Sequence, residues 1–98
     1  MMKATIEILS GPQDGKEILI ADIANIGRDE QNEVSLPTDR YVSRRHAVVR
    51  REEGQYVLED LGSTNGSFVD DRRVTGLISI SNGQVFKIGR TLLRILYR

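Results

Sequence analysis

The chain has 98 residues, no cysteine, a single histidine, and fourteen basic residues balanced by fourteen acidic ones. That length makes one domain, the missing cysteines exclude disulfides and thiolate chemistry, and the zero net charge argues against non-specific nucleic-acid binding, which shows as a basic surplus. No apolar run approaches the roughly 20 residues of a membrane span and the opening MMKATIEILSG lacks a signal-peptide core, so a cytoplasmic domain without a membrane partner is expected.

Taken in chain order, the residues alternate with a period of two and show little helical periodicity. KATIEIL sets Ile6 and Ile8 on one face against Thr5 and Glu7 on the other. KEILI and IANIG follow, separated by Ala21-Asp22. From Arg28 to Arg45 the sequence is polar and aperiodic, interrupted by Pro37, and only EVSL within it reads as a short strand. A long irregular stretch in a compact domain is usually functional. HAVVRR and QYVLED bracket Glu52-Glu53-Gly54, a hairpin signal. SFVD and RRVT flank Asp70-Asp71, residues that tolerate left-handed backbone. LISI and QVFKI flank Ser81-Asn82-Gly83, where Asn-Gly predicts a further hairpin. TLLRILYR closes the chain as a long strand. About ten short strands with no helix predict an all-β domain spanning 1–98, a β-sandwich. Strand number alone leaves a closed barrel as the alternative.

Three clusters carry polar chemistry: Gly27-Arg28, Ser43-Arg44-Arg45-His46, and Gly62 to Ser67. Each alone is weak. A strand-end glycine with a solvated arginine, a polar turn and a generous hairpin would account for them. Together they fit one anion site, because arginine presents forked donors matched to phosphate oxygens. Hydroxyls and glycine-rich backbone N–H groups add further donors. A lone histidine and no cysteine leave no zinc set, and neither a P-loop nor a dinucleotide fingerprint is present. No catalytic residue, metal or cofactor is expected. Arg45, Arg50 and Arg51 invite a wider basic patch, but solvated charges partly balanced by Glu52 and Glu53 are the preferred reading.

In this order and spacing, IGR, VSRRHA and DLGSTNGSFV resemble the forkhead-associated (FHA) domain family. That family's pattern is Gly-Arg at a strand end, then Ser-Arg-x-His, then Leu-Gly-Ser-Thr-Asn-Gly, and NGQVFKIG matches its usual ending. The resemblance covers nearly the whole chain. It implies an eleven-stranded β-sandwich whose loops at one end bind phosphothreonine in a partner. The chain would then be a signalling adaptor, not an enzyme, acting as a monomeric domain on a threonine-phosphorylated protein or peptide. Carried over by position, Arg28 would pair with the phosphate, and Ser43 and Thr64 would donate hydroxyls to it. Arg44 would add backbone contact and charge, and Asn65 would hold the peptide main chain. His46 would brace the binding loops from behind, while Gly27, Gly62 and Gly66 would be conformational requirements. Arg40 and Tyr41, with Asn82 beside Gly83, are the candidates for reading residues next to the phosphothreonine. Leu58, Leu61 and Phe68 would anchor the Ser-Thr-Asn-Gly loop to the core. Ser67 stands where the family often has threonine, and Asp70-Asp71 replaces a common Asn-Gly turn. The competing expectation is a phosphate-independent interaction scaffold of the same fold.

Overall fold

The computed structural model describes residues 3–97; Met1, Met2 and Arg98, which the sequence reading places in the domain, lie outside the described residues. Eleven strands form, and no helix, among the described residues. They are β1 (Ala4–Ile8), β2 (Glu17–Ile20), β3 (Ile23–Gly27), β4 (Val34–Ser35), β5 (Ala47–Glu52), β6 (Gln55–Asp60), β7 (Ser67–Val69), β8 (Arg72–Arg73), β9 (Leu77–Ile80), β10 (Val85–Ile88) and β11 (Thr91–Tyr97). A six-stranded sheet runs β2-β1-β11-β10-β7-β8 and a five-stranded sheet runs β4-β3-β5-β6-β9. Two separate sheets make the fold a sandwich and set aside the barrel.

The period-two pattern explains which faces meet. In β1, Ala4, Ile6 and Ile8 are buried while Thr5 and Glu7 are not. Leu93 and Ile95 of β11 repeat that alternation directly across the antiparallel register, Ile6 opposite Ile95 and Ile8 opposite Leu93. From the other sheet Ala24, Ile26, Val49, Tyr56 and Leu58 close the same core. Burying such a side chain contributes about 1.5–3 kcal/mol, which offsets the entropy of ordering strands this short.

Two turns follow the local chemistry. Glu53 and Gly54 both take positive φ, 51° and 80°, between Glu52 and Gln55, which pair across β5 and β6. Asp70 and Asp71, at 52° and 62°, join β7 to β8. Successive left-handed residues are what a two-residue hairpin with the right twist requires.

The third predicted hairpin does not form. β9 pairs with β6 in one sheet, whereas β10 pairs with β7 and β11 in the other. Gln84 N–H donates to Ser81 O at 3.0 Å, closing a four-residue turn in which only Gly83 has positive φ, 87°. That is type II geometry, which splays the flanking strands instead of pairing them. Asn-Gly here carries the chain from one sheet to the other.

Registers bring the strand ends together. Ile26 of β3 faces Ala47 of β5, and Ala47 faces Asp60 of β6. In the other sheet Ile88 of β10 faces both Ser67 of β7 and Thr91 of β11. The segments 28–46, 61–66 and 89–90 therefore all emerge at one end of the sandwich. The aperiodic stretch is well anchored there: Val34 and Ser35 form β4, parallel to β3, and Val34, Leu36 and Val42 are buried in the core.

Candidate functional site

At that end a cleft of about 310 Å³ is lined by Arg28, Arg40, Tyr41, Ser43, Arg44, Thr64 and Asn65, together with Val42. Three separated stretches of sequence meet in it. The first contact is made by Gly27, where a Cβ would lie 2.1 Å from the carbonyl oxygen of Arg44. Only glycine lets β3 approach so closely. Arg28 N–H then donates to Ser43 O at 3.0 Å, and Asn32 Nδ2 bridges Asp29 O and Arg44 O at 2.7 and 2.9 Å. The backbone of Arg28 is thereby fixed while its side chain stays exposed.

His46 ties the other two stretches together. It is fully buried, and its Nδ1 accepts from Ser43 N–H at 3.0 Å. Nδ1 therefore carries no proton, so Nε2–H donates to Gly66 O at 2.9 Å. One neutral ring holds the Ser43 loop against the Thr64 loop, and the two loops come from different strands. Its own backbone adds two more bonds, to Ile26 O and from Leu61 N–H, both 2.9 Å.

Asp60, at the end of β6, folds the loop that follows. Its Oδ2 accepts from Gly62 and Ser63 N–H at 3.1 and 3.0 Å, and its Oδ1 from the hydroxyls of Ser63 and Ser67, both at 2.7 Å. Ser63 Oγ in turn accepts from Gly66 N–H at 2.9 Å. The Gly62–Ser67 loop is thus wrapped around one carboxylate. A plain turn needs no such anchor, and this explains why the segment is longer than a hairpin requires. Leu58 is buried beneath it and Phe68 half-buried, but Leu61 is 41% exposed and does not serve as an anchor. Leu61 contributes its backbone N–H to His46 O, leaving its side chain in solvent.

Burial pushes the Asp60 carboxyl up, but the hydrogen bonds from Ser63 and Ser67 outweigh it and hold the group below its ordinary value of 3.8. Asp39 behaves alike: burial opposes ionisation, and bonds from the Thr91 hydroxyl, Arg90 N–H and Tyr41 N–H prevail. A carboxyl depressed on folding contributes stability that is complete above its unfolded value and is lost as pH falls through its folded value. Chemical denaturation between pH 6 and pH 2 should accordingly show stability flat down to about pH 4 and falling below it. In Asp60→Asn the overall stability should be lower and the acid-dependent loss smaller.

Cleft donors remain for a ligand. Ser43 Oγ accepts from Thr64 N–H at 3.2 Å, which leaves the serine O–H to donate outward. Asn65 Nδ2 donates to Tyr41 O at 2.9 Å, leaving Oδ1 to accept. Among the described residues, Arg28, Arg40 and Arg44 form no salt bridge, whereas Arg50 pairs with Glu52 and Glu59, Arg51 with Asp22, and Arg94 with Glu7. Those pairs support the solvated reading of Arg50 and Arg51, with Glu59 and Asp22 as partners beside Glu52.

Of the residues singled out from sequence, Arg28, Arg40, Tyr41, Ser43, Arg44, Thr64 and Asn65 converge on the cleft, with Gly27, His46, Gly62 and Gly66 in its supporting loops. Asn82 is not brought there. Its Oδ1 accepts from Tyr97 N–H at 2.7 Å and its neighbour Gly83 donates to Ile95 O at 2.7 Å. Tyr97 and Ile95 lie at the far end of β11 from Thr91, so the type II turn directs Asn82 to the opposite pole. Sequence reasoning missed Asp39, Asp60 and Arg90, and it placed Ser63 in the third cluster without a role of its own. The spacing of Asp60 and Ser63 is a signal for a side chain capping its own turn, whereas nothing local links Asp39 to Arg90. Among the described residues there is no cluster of potential metal ligands and no helix long and apolar enough to cross a membrane.

Comparison with known proteins identifies the family. The FHA domain family model matches residues 24–89, and the chain belongs to that family. It is 37% identical over 70 residues to the FHA domain-containing protein FhaB of Mycolicibacterium smegmatis, covering 71% of this chain and 44% of FhaB. The chain thus matches less than half the length of that relative. The crystal structure of the FHA domain of CT664 from Chlamydia trachomatis superposes with a TM-score of 0.87 at 28% identity, covering 96% of each chain. Mycobacterium tuberculosis EmbR, solved in complex with a low-affinity phosphopeptide, superposes with a TM-score of 0.85 at 26% identity, over 96% of this chain and 24% of EmbR.

Proposed function

We propose that residues 1–98 act as one phosphothreonine-peptide recognition module, an adaptor without catalytic activity of its own. The observation that carries this reading is the cleft in which unpaired arginines meet the free hydroxyls of Ser43 and Thr64. A phosphothreonine brings about −1.5 to −2 charge and three acceptor oxygens. Arg28 supplies the forked donor, Ser43 and Thr64 the short hydroxyl donors, and Arg44 additional charge. Asn65, its amide nitrogen already engaged, accepts from a peptide N–H through Oδ1. EmbR, of the same fold, takes a phosphopeptide.

Three or four charge-assisted hydrogen bonds at about 1.5–3 kcal/mol each, less the cost of association, correspond to a micromolar complex near −8 kcal/mol. Calorimetric titration of a phosphothreonine peptide against its unphosphorylated twin tests this. Binding of the phosphorylated form alone is expected. Equal affinity for the two would overturn the proposal in favour of a phosphate-independent scaffold.

A further inference from the structure

Beside the phosphate cleft stands a second cationic position that the cleft chemistry does not use. The Arg90 guanidinium lies over the ring of Tyr41, with Cζ 4.0 Å from the ring centre. Both members of the stack are held by one carboxylate. Asp39 Oδ1 accepts from Tyr41 N–H at 2.9 Å, while its Oδ2 accepts from Arg90 N–H at 2.8 Å and from the Thr91 hydroxyl at 2.7 Å. The turn carrying Arg90 is also pressed against the Tyr41 loop, since a Cβ on Gly89 would lie 2.6 Å from Val42 Cγ2. The position is therefore set before any ligand arrives.

Its charge is unspent. Among the described residues no acidic side chain forms a salt bridge with Arg90 or with Arg40, although Arg50, Arg51 and Arg94 are paired. Asp39 accepts from the backbone N–H of Arg90 and forms no salt bridge with its guanidinium. A guanidinium laid on an aromatic face keeps its in-plane N–H donors at its edge, where a carboxylate can take two of them at once. Asn65 Nδ2 bonds Tyr41 O, so the residue proposed to hold the peptide backbone adjoins the stack. Tyr41 lines the cleft and lies under Arg90, so an extended peptide leaving the cleft past Tyr41, at about 3.3 Å per residue, would bring the neighbours of its phosphothreonine to the stack.

We propose that Arg90, stacked on Tyr41, is a specificity-determining residue that selects partners carrying an aspartate or glutamate close to the phosphothreonine. This rests on the phosphothreonine reading above. The test takes one phosphothreonine peptide and places glutamate, one position at a time, at each of the four residues on either side, against an otherwise neutral parent. Affinities are measured with wild type, Arg90→Ala and Arg90→Glu. Arg90 is held through its backbone, so both variants keep the Asp39 bonds that order the turn.

At one of these positions glutamate should tighten wild-type binding by about 3–10-fold. The gain should vanish in Arg90→Ala and become a loss in Arg90→Glu, with the neutral parent binding wild type and Arg90→Ala alike. Equal affinity of every glutamate peptide and the parent would overturn the inference, as would a glutamate gain undiminished in Arg90→Ala. A neutral phosphopeptide bound no better than its unphosphorylated twin would instead overturn the phosphothreonine reading, and this inference with it.

Discussion

Replacing Arg28 with alanine is expected to weaken phosphothreonine-peptide binding by about 10–100-fold, which is the loss of one charge-assisted interaction at about 1.5–3 kcal/mol. Thermal stability should barely move, because surface substitutions away from special features change it by no more than about 0.5 kcal/mol. The Arg28 side chain is exposed and, among the described residues, in no ion pair, while its backbone N–H to Ser43 O survives the change. Arg28→Lys should fall between the two, keeping the charge but losing the fork. Peptide titration combined with a melting curve reads all of this. Unchanged affinity in Arg28→Ala would mean that phosphate is not what the cleft holds.

His46→Ala should give the opposite signature, with stability lost first and binding as a consequence. The ring satisfies Ser43 N–H and Gly66 O at a position with no solvent access. Its removal strands both groups, at about 1–3 kcal/mol for each, and leaves a cavity. A destabilisation on the order of 3 kcal/mol lowers the melting temperature of a domain this size by roughly 12–24 °C. Affinity should drop as well, because Ser43 and Thr64 are no longer held in register. A variant that melts like wild type yet fails to bind would make His46 a direct ligand contact, not a brace.

The contrast between these two residues shows what the sequence could disclose. Alternation in KATIEIL and TLLRILYR made the strands legible, since each buried face follows from side chains taken two apart. Glu53-Gly54 and Asp70-Asp71 were legible as turns because left-handed backbone has a chemical preference. Asn82-Gly83 misled for a physical reason: the dipeptide permits several turn types, and only packing decides between a hairpin and a crossing between sheets. The ordered motifs located the cleft, including Arg28, Ser43 and Thr64. Asp39 bonds the nearby Tyr41 N–H, but its tie to Arg90 and Thr91 escaped because they are 51 and 52 residues away, where no local pattern can reach. Leu61 shows the converse error, for an apolar residue beside a loop need not face the core when its backbone has the structural task.

Charge is the other property that bulk numbers hid. Fourteen positive and fourteen negative residues cancel on paper, yet among the described residues Arg50, Arg51 and Arg94 are in ion pairs while Arg28, Arg40 and Arg44 of the cleft are not. A chain of zero net charge can still gather unpaired guanidinium groups in one cleft. Attraction from such a cluster is screened over about 8 Å at physiological ionic strength, so it acts on segments already nearby.

The place of β11 in the six-stranded sheet has a bearing on how the molecule is made. It is the last strand in the chain, yet it sits between β1 and β10, with Ala4 opposite Tyr97. During synthesis the amino-terminal hairpin of β1 and β2 has no neighbour to join until residues 91–97 have emerged. The five-stranded sheet, drawn wholly from residues 23–80, can assemble earlier. Pairing of β1 with β11 therefore follows assembly of that sheet, and pairings of such large sequence separation place folding in the slow, millisecond-to-second class. A ribosome-bound chain halted before Thr91 would expose both the β1 edge and the apolar face meant for Leu93 and Ile95, a state in which chaperone protection matters most.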